Sequence, residues 1–139
     1  MIAVDASIAM KLVLNEADSE VARALWQGWA EAGEVLVAPV LFRAETFSVL
    51  RRKVREQVLT EAEGDEAYAV LESLPVRLTE PDGLYRLAWG FARRFNQPTI
   101  YDSCYVALAD LTGCEFWTAD ARLAHAVEAD LPWVHLLRV

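Results

Sequence analysis

The sequence lacks several features that mark common classes of protein. Only two of its 139 residues are cysteine, Cys104 and Cys114, too few for a disulfide framework or a paired zinc-ligand pattern. We predict that both are buried as small hydrophobic residues. There is no basic run followed by an apolar stretch and a small-residue cleavage site, and no apolar window of about eighteen residues. We therefore expect a cytoplasmic protein that does not associate with membranes.

Other familiar catalytic patterns are also missing. His125 and His135 have no acidic or cysteine partner at metal-ligand or triad spacing, and no serine stands between two glycines, so serine-hydrolase and zinc sites are disfavoured. A haloacid-dehalogenase-like phosphatase would need a second acid two residues after Asp5, where the sequence has Ser7. A phosphoacceptor receiver domain would need a lysine late in the chain. The two lysines are Lys11 and Lys53.

Positive charge is scarce. The chain has 13 lysines and arginines against 21 aspartates and glutamates, and its formal net charge is −8. Such a charge gives no long-range attraction for a phosphate backbone, which argues against a general nucleic-acid binder. This objection weakens if metal ions neutralise some of the acids, because two divalent cations would balance about four carboxylates.

Hydrophobic periodicity predicts strands that alternate with helices. A composition that is 55% hydrophobic is enough for a full core, and we expect residues 1–139 to form a single domain. Alternating strands and helices predict an α/β fold of three layers, α/β/α, around a central parallel sheet of about five short strands. The predicted strands are residues 2–5, 35–38, 75–78, 115–118 and 134–137. The predicted helices are residues 6–14, 19–32, 41–57, 60–74, 82–95, 101–111 and 120–129.

Four acidic residues stand at the ends of these elements. Asp5 ends the first strand, Glu45 lies in the first turns of the third helix, and Asp102 and Asp120 each begin a helix. Ligands of open parallel sheets bind beyond the carboxyl ends of the strands, so we expect the four carboxylates to converge there. They would repel one another unless something positive lay between them. Oxygen ligands of this kind suit Mg²⁺ or Mn²⁺.

A simpler interpretation exists for three of the four acids. Asp5, Asp102 and Asp120 each stand where an aspartate commonly caps or stabilises the start of a helix. Taken singly, capping is the better explanation for any of them. Glu45 is different, because it follows a partly apolar stripe of its helix with no cation three or four residues away. The combination of all four favours the metal site.

Hydroxyl and basic side chains near the acids suggest further roles. Ser7, Ser103 and Thr118, and also Thr46, can orient carboxylates or hold waters around a metal, although each can equally satisfy nearby backbone groups. A basic run one or two turns beyond Glu45 can grip RNA phosphates, or simply complement the helix dipole. That run consists of Arg51, Arg52, Lys53 and Arg55. Most of the five tryptophans are expected to pack in the core.

The context of the acids is more specific than the acids alone. The stretches that carry it are residues 4–11 around Asp5, Glu45 after Ala38-Pro39, and residues 101–109 followed by residues 118–120. Together they resemble the PIN-domain ribonucleases, and more narrowly the VapC-like toxins of type II toxin–antitoxin systems, over essentially the full length. The resemblance implies a PIN-like fold.

The resemblance also implies an activity and a set of residue roles. Asp5, Glu45, Asp102 and Asp120 correspond to the family's acidic quartet, with Asp5 and Asp102 as direct metal ligands and the other two binding through water or completing a second metal site. The implied activity is Mg²⁺- or Mn²⁺-dependent hydrolysis of RNA by an endoribonuclease. A homodimer and a small antitoxin that blocks the acidic site are the implied assemblies, and a sequence pI of about 4.7 suits a basic inhibitor.

Two alternatives remain open on the sequence. A PIN-like module can keep its fold and a protein-binding surface without cleaving anything. A housekeeping RNA-processing nuclease would share the acidic quartet without being a toxin. Neither the RNA that is cut nor the sequence at the cut follows from these residues.

Overall fold

A central parallel sheet with helices on both faces organises the protein in the computed structural model, which describes residues 1–138. Strands and helices alternate much as the sequence predicts, and the α/β fold of three layers is confirmed. The strands are β1 (Ile2–Val4), β2 (Leu36–Pro39), β3 (Val76–Thr79), β4 (Glu115–Thr118) and β5 (Val134–Leu136). The helices are α1 (Ala6–Val13), α2 (Ser19–Glu31), α3 (Phe42–Arg55), α4 (Glu61–Glu72), α5 (Leu84–Arg94), α6 (Tyr101–Thr112) and α7 (Ala121–Val127).

The strand order places the first strand at the centre of the sheet. The order is β3-β2-β1-β4-β5, and all neighbouring strands are parallel. Helix α1 packs against α2, α3 and α4, while α5 packs against α6. Right-handed crossovers put the first four helices on one face and the remaining three on the other. The chain therefore leaves β1 in one direction and returns through β4 on its other side, and a crevice opens at this switch point beyond the strands' carboxyl ends.

Burial fixes the elements that surround this crevice. All three residues of β1 are buried, and in α6 every residue from 103 to 109 is buried. A helix that is apolar around most of its circumference is driven into the core. Tyr105 of α6 stacks on Phe116 of β4, with ring centroids 6.0 Å apart. The start of α6 is thereby held beside the ends of β1 and β4.

Local sequence signals explain where several helices begin and end. Thr60 and Glu63 form the predicted capping box at the start of α4. Gly113 follows α6 with a φ of 65°, a left-handed conformation that ends the helix. Asp18 precedes α2 as predicted, but its side chain makes no capping hydrogen bond. Within residues 1–138, no helix combines the length and the apolar character needed to cross a membrane.

Two predictions about burial are wrong in part. Cys104 is buried as expected, but Cys114 is only partly buried, because it lies in the short turn between α6 and the sheet. Val58 was expected on the buried side of the third helix. That helix ends at Arg55, so Val58 lies in the following turn and its side chain is 57% exposed.

Candidate active site

Asp5 lies at the centre of the crevice. It follows β1 and caps α1, where its Oδ1 accepts a hydrogen bond from the backbone N–H of Ile8 at 3.2 Å. The same oxygen accepts the hydroxyl of Ser7 at 2.5 Å, and Oδ2 accepts the hydroxyl of Thr118 at 2.5 Å. Burial raises the pKa of Asp5 to about 6, since it outweighs these three hydrogen bonds, and Asp102 adds to the rise. Asp5 is thus both a helix cap and a buried, strongly coordinated carboxyl.

Two hydroxyl groups join the ends of β1 and β4. Ser7 Oγ accepts the backbone N–H of Ala119 at 2.8 Å, and Thr118 Oγ1 accepts the N–H of Asp120 at 3.0 Å. Each hydroxyl therefore accepts a backbone hydrogen bond while donating its own proton to Asp5. Ser7 and Thr118, both singled out in the sequence, are the residues that hold Asp5 in place.

The other two hydroxyl candidates make no such contact. Ser103 is buried in α6, and within residues 1–138 no side-chain hydrogen bond joins it to the acids. Thr46 is 2% exposed, and its hydroxyl has no hydrogen-bond partner in the part of the chain that the structure describes. Their predicted support of a metal site therefore remains a prediction.

Glu45 faces the same crevice from the first turn of α3. Its Oε1 accepts a long hydrogen bond of 3.5 Å from the hydroxyl of Tyr105. Partial burial, followed by the charges of Asp5 and Asp102, raises the pKa of Glu45 to about 7. Burial and the surrounding carboxylates also raise the pKa of the Tyr105 hydroxyl, so this phenol stays protonated and can donate.

Asp102 and Asp120 form the more open side of the site. Asp102 lies in the first turn of α6, and its side chain is 30% exposed. Asp120 caps α7, where its Oδ1 accepts the N–H of Leu123 at 3.2 Å. Burial raises the pKa of Asp102, and Arg122 opposes that rise. Three of the four predicted acids, Asp5, Glu45 and Asp102, are therefore coupled electrostatically, and Asp120 is coupled to Asp102.

Arg122 is a member of the site that the sequence did not indicate. Its Nη2 donates to Asp102 Oδ2 at 3.0 Å and lies 3.6 Å from Asp120 Oδ2. Its side chain is 62% exposed, so it covers the crevice from the solvent side. The search for cations considered helix neighbours three or four residues away, and Arg122 is two residues beyond Asp120. Its other partner, Asp102, belongs to a different helix.

The donor groups suit a hard divalent cation. The crevice offers carboxylate and hydroxyl oxygens, which Mg²⁺ and Mn²⁺ prefer, and the raised pKa values of Asp5 and Glu45 reflect carboxylates that lack a positive neighbour. No three acidic, histidine or cysteine groups within residues 1–138 are close enough to form a ready-made metal shell. The chemistry of the donors fits a metal, while the arrangement with Arg122 inside it is an open one.

The predicted basic run lies farther along α3. Lys53 lines a hollow of about 260 Å³ together with Glu45 and Lys11, which places one cation of the run beside the acids. Arg51 instead pairs with Glu61 at 3.4 Å. Arg52 and Arg55 are exposed and contact none of the four acids through hydrogen bonds or ion pairs in the described part of the chain. Lys53 is thus the member of the run best placed to meet RNA.

Comparison with known proteins identifies the family. A family model described as PIN domain matches residues 2–129. Ribonuclease VapC9 of Mycobacterium tuberculosis is 35% identical over 132 residues, covering 95% of each chain. Ribonuclease VapC12 of the same organism is 34% identical over 127 residues, covering 91% of this chain and 92% of that one. The crystal structure of M. tuberculosis VapC20, described as a sarcin-ricin loop cleaving toxin, matches with a TM-score of 0.66 at 22% identity, covering 91% of this chain and 95% of that one, which supports the fold. The chain belongs to the PIN-domain family.

Proposed function

We propose that this protein is a metal-dependent endoribonuclease that hydrolyses RNA phosphodiester bonds, and that it is the toxin of a toxin–antitoxin pair. The observation that carries the proposal is the electrostatic coupling of Asp5, Glu45 and Asp102 in one crevice. Buried carboxylates that raise one another's pKa are characteristic of sites completed by a cation. The relatives VapC9 and VapC12, which match nearly the whole chain, are named ribonucleases.

The four acids are the proposed metal ligands and catalytic residues. Asp5 and Asp102 would bind Mg²⁺ or Mn²⁺ directly, and Glu45 and Asp120 would bind through water or complete a second site. When bound, such a cation lowers the pKa of a water molecule and stabilises the added charge on the phosphate. No protein side chain needs to become the nucleophile.

The remaining residues hold these ligands in position. Ser7 and Thr118 fix both oxygens of the Asp5 carboxylate, which limits its rotation. Tyr105 donates to Glu45 Oε1 and so leaves Oε2 free of that contact. Arg122 balances the charge of Asp102 and Asp120 in the metal-free protein, and its exposed guanidinium is also suited to contact a phosphate.

The assemblies of this protein follow from the same proposal. An antitoxin with basic residues would complement the acidic crevice in a chain of net charge −8. We further propose that residues 1–139 act as one domain, that the protein pairs as a homodimer, and that it works in the cytoplasm, where RNA is available. A housekeeping nuclease would share the chemistry but not the antitoxin, and a non-catalytic module would share only the fold.

Cleavage of a mixed RNA pool tests the enzymatic part of the proposal. Purified wild type is expected to cut RNA with Mg²⁺ or Mn²⁺ and to stop when a chelator is added. Asp5→Asn and Asp102→Asn should abolish cutting. Asp110→Asn, which changes an exposed acid on the same helix as Asp102, is the matched control and should cut as wild type does. Identical fragment patterns from all four proteins would contradict the proposal.

Expression in a bacterial host separates the toxin from the other two functions. Wild type is expected to arrest growth, and Asp102→Asn is expected to relieve the arrest. Co-expression of the neighbouring reading frame should also restore growth if that frame encodes the antitoxin. Normal growth together with metal-dependent cleavage in vitro would instead favour a housekeeping nuclease.

A further inference from the structure

Helix α5 presents an exposed aromatic and cationic surface that the acidic site does not use. Trp89 is 63% exposed, whereas Trp29 is 8% exposed and packs against Trp26 and Trp117. From residue 84 to residue 94 the helix carries three arginines and no acid. In a chain of net charge −8, such a helix is a local exception that favours an anionic partner.

A hollow of about 490 Å³ lies beside Trp89. Its wall is formed by Trp89 and Arg93 of α5 and by the loop of residues 96–100 that leads into α6. Arg93 is the one charged residue among those that line it, while Asn96 and Gln97 supply amide donors and acceptors. By contrast, the hollow that contains Glu45 and Lys53 also contains Glu16. An aromatic face, a cation and two amides are the groups that bind an unpaired nucleotide.

The hollow is directly connected to the acidic crevice. Gln97 Oε1 accepts a hydrogen bond from Arg122 Nη1 at 3.4 Å, and Arg122 Nη2 donates to Asp102 at 3.0 Å. The loop that lines the hollow ends at Ile100, two residues before Asp102. A strand of RNA whose phosphate lies in the crevice therefore reaches the hollow with an adjacent nucleotide.

We propose that this hollow is a base-binding subsite for single-stranded RNA, in which a base near the cleaved bond stacks on Trp89. Arg93 contacts a phosphate, and the amides of Asn96 and Gln97 meet the edge of the base. The inference rests on the proposed ribonuclease function and names the part of the substrate that this surface recognises. Charge selects RNA over the basic antitoxin here, because Arg93 would repel a basic segment.

Binding measured without metal tests the subsite independently of cleavage. The probe is a fluorescein-labelled oligoadenylate of about twelve nucleotides, titrated in a chelator at low salt and followed by anisotropy. Trp89→Ala and Arg93→Gln are expected to weaken binding, Trp89→Ala by about 5- to 100-fold, the range given by the loss of one stacked base. Trp89→Phe should retain most of the affinity, because phenylalanine still offers an aromatic face. Tyr85→Ala, which removes another exposed aromatic residue of α5 that does not line the hollow, should bind as wild type does.

Several outcomes separate this proposal from the proposed function. If wild type binds the oligonucleotide through Trp89 but never cleaves RNA with Mg²⁺ or Mn²⁺, the function fails and the subsite stands. If wild type cleaves RNA while Trp89→Ala binds equally well and has an unchanged KM, the subsite alone is wrong. No binding by wild type at high protein concentration also overturns the subsite. So does a Trp89→Ala variant that loses a dimer in sedimentation while keeping its RNA affinity, since the surface then binds a second copy.

Discussion

The hydroxyl of Thr118 donates a hydrogen bond of 2.5 Å to Oδ2 of Asp5, across 113 positions of sequence. The bond joins the end of β4 to the end of β1, which are neighbours in the sheet. The same hydroxyl accepts the N–H of Asp120. One threonine therefore sets the orientation of one proposed metal ligand and the backbone position of another.

Removing this hydroxyl should weaken metal binding without emptying the site. Thr118→Val keeps the shape of the side chain but leaves one oxygen of Asp5 without its donor. We expect Mg²⁺ or Mn²⁺ affinity to fall by roughly 10-fold, as for other residues that orient a ligand. Thr112→Val, whose hydroxyl bonds to carbonyls of its own helix, is the control and should bind metal normally. Calorimetric titration with metal checks both, and equal affinities would contradict the role given to Thr118.

The raised pKa values predict an unusual dependence of stability on pH. Asp5 and Glu45 have pKa values of about 6 and about 7 in the fold, above their ordinary values of 3.8 and 4.5. In that interval the folded protein binds more protons than the unfolded chain, so these two groups make the free energy of unfolding fall as pH rises. The loss between about pH 5 and pH 8 is expected to be on the order of 2 kcal/mol, allowing for the partial exposure of Glu45.

Glu45→Gln isolates this effect. The variant carries no charge at that position, so metal-free protein at pH 8 should be more stable than wild type, and its stability should change less between pH 5 and pH 8. Glu66→Gln, which changes an exposed glutamate of α4, should leave the wild-type pH dependence intact. Denaturant unfolding at both pH values in a chelator is the measurement. A Glu45→Gln variant that is less stable at pH 8 would contradict the repulsion inferred at this site.

Arg122 should compete with metal for the open side of the site. Replacing it by glutamine removes a positive charge from beside Asp102 and Asp120, so we expect Mg²⁺ to bind about 2- to 5-fold more tightly, the scale of an exposed ion pair. Arg138→Gln is a matched control, because Arg138 is 64% exposed and pairs with Glu128 at 3.5 Å. Metal titration at low salt should show the difference, and weaker binding by Arg122→Gln would instead make the arginine a support of the site.

The packing of α3 against α4 depends on a glycine. A Cβ added at Gly64 would meet Cγ2 of Val54 at 2.5 Å, whereas a Cβ at Gly28 of α2 would meet nothing within 4 Å. Gly64→Ala is therefore expected to destabilise the fold by about 1 to 3 kcal/mol. Gly28→Ala should stabilise it by about 0.5 to 1 kcal/mol through helix propensity. Thermal unfolding compares them, and combining Gly64→Ala with Val54→Ala should recover stability if overpacking is the cause.

The sequence predicted the fold well because its signals are local. Every strand is a short apolar run, and helix ends such as Gly113 and the Thr60 capping box depend on a few neighbouring residues. The convergence of the acids was also predictable, since Asp5 and Asp120 both follow central parallel strands. Errors arose at turns, as at Val58, where the end of a helix decides which way a side chain points.

Contacts between distant elements were beyond the sequence. Arg122 reaches Asp102 from another helix, and Tyr105 reaches Glu45 from the opposite side of the crevice. No spacing along the chain encodes either distance. The exposure of Trp89 was hidden for the same reason, because a tryptophan among apolar residues of an amphipathic helix looks like a core residue until the packing of α5 is known.

The central position of β1 has a consequence for synthesis on the ribosome. Asp5 emerges first, but its partner on β4 is made more than a hundred residues later. Until translation passes residue 120, a nascent chain holds only part of the acidic crevice and has nothing to pair with one edge of its first strand. A growing polypeptide of this sequence therefore cannot attack the messenger that encodes it until its synthesis is almost finished.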